Sequence, residues 1–463
     1  MKRLVFCFDG TTNTLDARFP TNVVRMAQSV IPVSGDETQL IYYDKGVGTD
    51  EGEKLKGGAF GFGLDKNLYE AYAFLIFNYT VGDEIFVFGF SRGAFTARSF
   101  VGLIYNCGIM RRRNVGDISQ ALEFYKSRDD LDHPLGDKML EFRADNSPDV
   151  CVAPKEDDWR CRTVPNYQAG SAPLLKIKYV GVWDTVGALG IPDYMKINAL
   201  DGNKYSFHDP RLAPFVERAR HAVAIDERRK TFAPTLWSNI AERNAEAGAD
   251  PSSRDAPFQQ QWFPGDHGSV GGGGDRLGLS DQALAWIVAG ARHAGLKVDS
   301  DPSSRVYEII PNHREELANI TPPSNPGLMK QLKGFVAGKM SRADRKDGPV
   351  ELHEVSVSAK RRWLDLPDNL PEKLAYRPKT LDGVAEKLDA LDPADFGVGV
   401  PLEQLNDPNL YDFHEVKAGE TLGIIAKHHY GDPARFPDIF NANRDTLEHP
   451  DELAAGSGLR IPK

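Results

Sequence analysis

The run Glu84-Ile85-Phe86-Val87-Phe88 leads directly into Gly89-Phe90-Ser91-Arg92-Gly93, and Ala94–Ile104 follows. The first piece reads as a short buried strand and the last as a helix. Between them stands a Gly-x-Ser-x-Gly turn. Strand, sharp turn and helix in that order form a nucleophile elbow, which lifts a serine hydroxyl out of a sheet. Glycines stand where a Cβ would strike the neighbouring strand or helix. The following helix aims its N-terminal N–H groups at the point where negative charge would develop. Ser91 is therefore the candidate nucleophile, with Gly89 and Gly93 supporting the turn. A serine that only caps the helix would account for the hydroxyl but not for both glycines.

The first half of the chain supplies the sheet such an elbow requires. Leu4–Phe8, Gln39–Tyr43 and Ile177–Trp183 read as apolar strands. They end in Asp9-Gly10, Asp44-Lys45 and Asp184-Thr185. Leu64–Tyr79 and Leu279–Gly295 read as helices, the second capped by Ser280 or Asp281. Strands alternating with helices predict an α/β fold: a mostly parallel sheet with helices on both faces. Catalytic groups of such sheets sit at the C-terminal strand ends, where Asp9, Asp44, Ser91 and Asp184 fall.

The 463 residues suffice for a large domain with additions. Residues 1–382 are expected to form the catalytic domain, with 127–170 as an aperiodic insertion. Residues 50–62, rich in glycine, read as a surface loop. Thr321–Pro326 is a turn cluster. Residues 350–380 contain short strand-like pieces. A helix and linker occupy 383–410, and a compact unit closes the chain at 411–463. A net charge of −10 argues against broad nucleic-acid binding. Cys7, Cys107, Cys151 and Cys161 are too few and scattered for a disulfide framework, although Cys151 and Cys161 could pair. No metal-ligand spacing or cofactor signature appears. The N-terminal apolar stretch is too short for a signal peptide, and nothing approaches a membrane span. The expectation is a protein made in the cytoplasm.

A serine hydroxyl needs a base, and the base needs a carboxylate that fixes its tautomer. In this type of sheet the order is serine, acid, histidine. Asp184 is the best acid, because a charge after so apolar a strand needs a partner; Asp193 and Asp226 are the reserves. His267, in the glycine-dense stretch Trp262–Gly274, is the expected base. His221, on an apolar stretch, reads as a core histidine. For the oxyanion hole, one donor is the backbone N–H of Arg92 and the other comes from Gly10-Thr11, with Asp9 bracing that loop or capping its turn.

Five blocks together resemble a known family. They are Phe8–Asn13, Tyr43–Thr49, Gly89–Ala94, Gly181–Gly187 and Trp262–Gly273. The blocks are similar, in order, to the α/β-hydrolase domain of Tle-type phospholipase effectors of type VI secretion, over roughly residues 1–380. The resemblance implies an α/β-hydrolase fold, a Ser91–Asp184–His267 triad and phospholipase A activity on bacterial membrane lipid. It also implies a secretion-apparatus partner, an immunity protein and delivery to a target-cell periplasm. The family usually carries serine-aspartate after its histidine, whereas Gly268-Ser269 stand here. Tyr411–Lys463 resembles a LysM module through Val416–Leu422, Tyr430-Gly431-Asp432, Phe440–Arg444 and Leu459–Pro462. That implies a strand-helix-helix-strand unit that binds peptidoglycan or a chitin-like glycan.

Other classes remain open at this level. The domain could be an inert interaction or wall-binding protein, or could cut a non-lipid ester. Phe6–Thr11 also looks like the Asp-x-Asp-Gly-Thr motif of haloacid dehalogenase-like phosphatases, but Cys7 replaces the attacking aspartate.

Overall fold

Alternate side chains of strand β1 (Lys2–Phe8) enter different cores. Leu4, Phe6 and Phe8 join one apolar cluster, and Val5 and Cys7 the other. That period of two, with both faces covered, is why the strand reads as one continuous apolar run. The computed structural model describes residues 1–10, 15, 17–46, 59–127, 129–187, 210–299, 309–318, 343–451, 453 and 455–463. Thr11, Asp193, the 50–58 part of the glycine-rich loop and Thr321–Pro326 lie outside them.

β1 belongs to a seven-stranded sheet with β2 (Val33–Ser34), β3 (Glu37–Asp44), β4 (Glu84–Phe90), β5 (Ile177–Trp183), β6 (Ala219–Ala224) and β7 (Phe258–Phe263). The order is β2-β3-β1-β4-β5-β6-β7. Among the described residues of this sheet, only the short β2–β3 pair is antiparallel. The described helices of this body include α1 (Asn22–Ser29), α2 (Ala59–Asn78), α3 (Arg92–Cys107), α4 (Ile118–Lys126), α5 (Asp137–Asn146), α6 (Pro154–Thr163), α7 (Ile240–Glu246), α8 (His267–Gly271), α9 (Gly278–His293) and α10 (Val357–Leu364). α2, α3 and α4 cover one face; α1 and α9 cover the other. The α/β architecture expected from the alternating pattern is the one observed.

The register lines up the strand ends. Phe8 pairs with Gly89, Phe90 with Trp183, Trp183 with Ala222 and Ala224 with Phe263. The residues that follow β1, β4, β5 and β7 therefore emerge along one edge. That edge carries the candidate chemistry.

Three stretches differ from expectation. Residues 127–170 hold α5 and α6 rather than an aperiodic loop. These helices pack through a buried charge cluster instead of an apolar stripe. Glu156 accepts from Arg143 Nε at 2.9 Å and Arg160 Nη2 at 2.5 Å, and all three are buried. Hydrophobic periodicity cannot report such a helix. The 350–380 pieces form α10 and 3₁₀ turns, not strands. Ser356 caps α10 by accepting the amide of Ala359, and Val355, Ala359 and Trp363 pack against Val223, Ile225 and Trp262. Residues 383–410 pack as well: Val384, Leu388, Val398 and Leu405 are buried. The cap of α9 also differs, since neither Ser280 nor Asp281 sits there; its N-cap is Leu277.

The closing unit is strand, helix, helix, strand: β8 (Tyr411–Glu415), α11 (Leu422–Tyr430), α12 (Phe436–Ala442) and β9 (Gly458–Pro462). β8 and β9 pair antiparallel. Its own core holds Val416, Leu422, Ile425, Ala426, Ile439, Leu459 and Ile461. It meets the larger body through Arg361, which donates to the Leu447 carbonyl at 2.7 Å, and through Arg314, 3.3 Å from Asp445 Oδ2. The four cysteines are free thiols. Among the described residues no helix is long and apolar enough to cross a membrane.

Candidate active site

Ser91 occupies the junction of β4 and α3 with φ 59° and ψ −123°. A non-glycine residue in that region stores strain on the order of 1–3 kcal/mol, so the surroundings must hold it there. They do so through close backbone approach. A Cβ on Gly93 would lie 2.2 Å from the Phe8 carbonyl oxygen, and one on Gly89 would lie 2.6 Å from that of Gly93. The Ser91 amide donates to the Trp183 carbonyl at 3.0 Å, tying the turn to the end of β5.

Asp184 follows β5 directly and also has a positive φ, 36°. It is fully buried. His267 opens α8, whose N-cap Asp266 accepts the amide of Ser269 at 2.9 Å. The imidazole packs against two aromatic rings, with Phe90 at 4.6 Å and Phe232 at 4.8 Å between centroids.

The structure brings these three side chains into one hydrogen-bonded row. His267 Nε2 is 2.7 Å from Ser91 Oγ, and His267 Nδ1 is 2.6 Å from Asp184 Oδ2. Asp184 can only accept when ionised. The ring proton therefore sits on Nδ1, and Nε2 is left to accept from the serine hydroxyl. Ser91 and His267 are each 6% exposed, so the row is largely shielded from water.

The acid has partners that the sequence did not suggest. Arg345 donates through Nη1 to Asp184 Oδ1 at 2.7 Å and through Nη2 to Oδ2 at 2.8 Å. The amide of Ala224 adds a third donor, to Oδ1 at 2.9 Å. Burial would push the Asp184 carboxyl up; the Arg345 charge and the bonds from His267 and Arg345 outweigh it and hold it well below the usual carboxylate range. Arg345 stands in Asp344-Arg345-Lys346-Asp347, a charge-dense stretch that reads as solvated surface, so no local signal marks it.

Asp9 is buried at the end of β1. Its carboxylate accepts from Thr21 Oγ1, from the Tyr43 hydroxyl at 2.8 Å and from the Gly10 amide at 2.6 Å. It thus braces the first loop against β3 and α1. The Gly10 amide, one of the two expected oxyanion donors, is engaged by this adjacent buried carboxylate, a charged acceptor one residue away. Arg92 begins α3, which puts its backbone next to the serine. Asp44 accepts from the Gly46 amide and Asn67, and burial pushes its carboxyl up to about 6.

His221 is a core residue of β6, as its apolar setting suggested. Its Nε2 accepts the Thr185 amide at 3.2 Å, so Nδ1 carries the proton and donates to Gln260 Oε1 at 3.0 Å. Burial first, then the Arg98 charge, pulls it down to about 3, which keeps it neutral under working conditions. It underpins the turn that carries Asp184.

The reserve acid Asp226 accepts from the Gly265 amide at 2.7 Å and the Tyr376 hydroxyl at 2.8 Å, and so holds the loop before His267. Burial pushes its carboxyl from the ordinary 3.8 up to about 6. A raised folded-state value contributes stability that is complete below the unfolded value and lost as pH rises through the folded one. Asp226→Asn is therefore expected to raise unfolding free energy near neutral pH by on the order of 2 kcal/mol and to change little near pH 4. Urea unfolding at both pH values reads the difference; equal effects at both would rule out a titrating Asp226.

Comparison with known proteins adds a family match, two relatives and two solved structures. Residues 2–290 match the family described as type VI secretion phospholipase effector Tle1-like, catalytic domain. An uncharacterized protein of Saccharomyces cerevisiae, YEL023C, is 25% identical over 248 residues, covering 50% of this chain and 32% of that protein. The potassium binding protein Kbp of Escherichia coli O6:H1 is 43% identical over 51 residues, covering 11% of this chain and 34% of its own. Two solved structures, each 17% identical, are also similar: an uncharacterized protein from Pseudomonas aeruginosa (TM-score 0.36; 66% of this chain, 47% of that one) and the Tle1 effector bound to the VgrG spike (TM-score 0.32; 60% and 52%). The chain thus spans about a third of those curated relatives and about half of those solved chains. With the match running through β1 to most of α9, and so over all seven strands of the sheet and the segments bearing Ser91, Asp184 and His267, the chain belongs to the Tle1-like phospholipase effector family of type VI secretion, through that family's catalytic domain.

Proposed function

We propose that this chain is a serine ester hydrolase acting as a phospholipase on bacterial membrane lipid. The observation that carries the reading is the 2.7 Å approach of Ser91 Oγ to an imidazole whose far nitrogen is 2.6 Å from a buried carboxylate. Ser91 attacks the ester carbonyl while its proton passes to His267 Nε2. Asp184 holds the ring in the Nδ1–H tautomer and stabilises the imidazolium as it forms. The Arg92 amide, at the positive end of α3, receives the developing oxyanion. A second donor is assigned to the Gly10–Thr11 loop, whose Gly10 amide would have to leave Asp9. His267 then protonates the departing alkoxide. Water, activated by the same ring, releases the acyl group from Ser91. A lipid substrate is supported by the family's description as phospholipase effectors.

Vesicles of phosphatidylethanolamine and phosphatidylglycerol, incubated with the full chain, are expected to yield free fatty acid and lysophospholipid by mass spectrometry. The Ser91→Ala protein is expected to yield neither. Hydrolysis of a short-chain nitrophenyl ester with intact phospholipid would keep the hydrolase and remove the phospholipase.

The secretion apparatus is the proposed delivery partner, because a Tle1 effector is the protein seen on the VgrG spike. Residues 411–463 are proposed to bind peptidoglycan or a related glycan, on the strength of their LysM resemblance. The full chain should then sediment with purified sacculi and be displaced by soluble N-acetylglucosamine oligomers; recovery in the supernatant alone would end that assignment.

A further inference from the structure

The site contains a cation that the serine mechanism does not call for. Arg345 is 9% exposed, and it lies beyond residue 290, where the family match stops. Both terminal nitrogens of its guanidinium are committed twice. Nη1 donates to Asp184 Oδ1 at 2.7 Å and to the Ala224 carbonyl at 2.7 Å. Nη2 donates to Asp184 Oδ2 at 2.8 Å and to the Phe232 carbonyl at 2.9 Å. This is a two-pronged match of fork to carboxylate, which lysine cannot reproduce. It is unlike a surface ion pair, whose long side chains must be ordered for little gain. The carbonyls it grips belong to the end of β6 and to Phe232, whose ring lies against His267.

We infer that Arg345 is a positioning residue of this site: it clamps Asp184 so that one carboxylate oxygen stays aimed at His267 Nδ1, and it makes the segment after residue 290 part of the catalytic unit. The inference rests on the serine hydrolase reading above. With four donors on two oxygens, Asp184 has no second orientation to adopt.

Charged groups among the described residues lie around the ring. Asp184 and Arg345 face its Nδ1 side. Glu227, paired with Arg229 at 2.5 Å, accepts the His267 backbone amide at 3.3 Å. Asp266 precedes it as the cap of α8, and Arg92 follows Ser91 on α3. Among these only Arg345 both carries positive charge and touches the acid.

The test uses the full chain, with Arg345→Met and Arg345→Lys compared with wild type on a soluble ester. Arg345→Met is expected to lose about 10- to 100-fold in kcat with little change in KM, the cost of a misaligned acid. Arg345→Lys keeps the charge and loses the fork, so its kcat should fall as well. A wild-type rate in a folded Arg345→Met overturns the inference. Where that variant does not fold, wild-type kcat in Arg345→Lys does so. A readout free of turnover is the downfield Nδ1–H proton resonance of His267. It is expected in wild type and displaced or exchange-broadened in Arg345→Met; an unchanged resonance also overturns the inference. Failure of wild type to react with a fluorophosphonate at Ser91 would instead remove the hydrolase reading, and leaves the resonance to decide on the clamp.

Discussion

Under the proposed mechanism, Ser91→Ala is expected to lower the rate of ester hydrolysis by about 10⁶-fold, the loss seen when a triad nucleophile is removed. The size of the effect follows from the division of labour in the row. Without Oγ there is no covalent intermediate, and the base at 2.7 Å has nothing to deprotonate. What remains is whatever the oxyanion donors and substrate binding achieve alone. The fold should be almost indifferent to the change. The strained backbone at Ser91 is held by main-chain contacts that alanine keeps, so unfolding free energy should move by less than about 1 kcal/mol. Initial rates and a denaturant titration on the same preparation measure both. Activity within tenfold of wild type in purified protein would show that the nucleophile lies elsewhere.

Asp184→Asn should lower kcat by about 10⁴-fold, because an amide can present N–H to Nδ1 and select the wrong tautomer. A second, separate loss is expected in stability. Arg345 would be left as a buried cation without its counter-charge, and breaking a buried pair from one side costs roughly 3–5 kcal/mol. An aspartate serving only as an orienting acid would show the first effect without the second. Urea unfolding of Asp184→Asn, Arg345→Met and the double variant forms a cycle that isolates the pair. The double variant should be more stable than Asp184→Asn, since the stranded charge is gone. Equal stabilities for those two proteins would mean that the pair carries no coupling.

Much of the architecture could be read along the chain. β1, β3, β4 and β5 are buried on one or both faces and so appear as apolar runs, and the turn at Ser91 announces itself through two glycines that backbone contact requires. β6 and β7 are harder to read from the sequence. Ala-Arg-His-Ala-Val-Ala and Phe-Gln-Gln-Gln-Trp-Phe carry polar residues whose burial depends on one another, as in the 3.0 Å bond from His221 to Gln260 across the pair. Neither strand looks like a core strand until its partner is beside it. The same holds for α5 and α6, whose interior is an arginine–glutamate cluster.

Local pattern thus settles which segments are strands buried on both faces, and which serine sits on a forced turn, because those properties depend on sterics and hydrophobicity within a few neighbours. It also proposes Asp184, at the end of an apolar strand, and His267, in a glycine-dense stretch. Chain folding alone settles that the His267 ring lies 2.7 Å from Ser91 Oγ and 2.6 Å from Asp184 Oδ2, that Gly10 turns to Asp9, and that a guanidinium from a distant charged segment closes on the acid. Those facts depend on the register of parallel strands and on charge pairing across large separations, and no window of adjacent residues contains either.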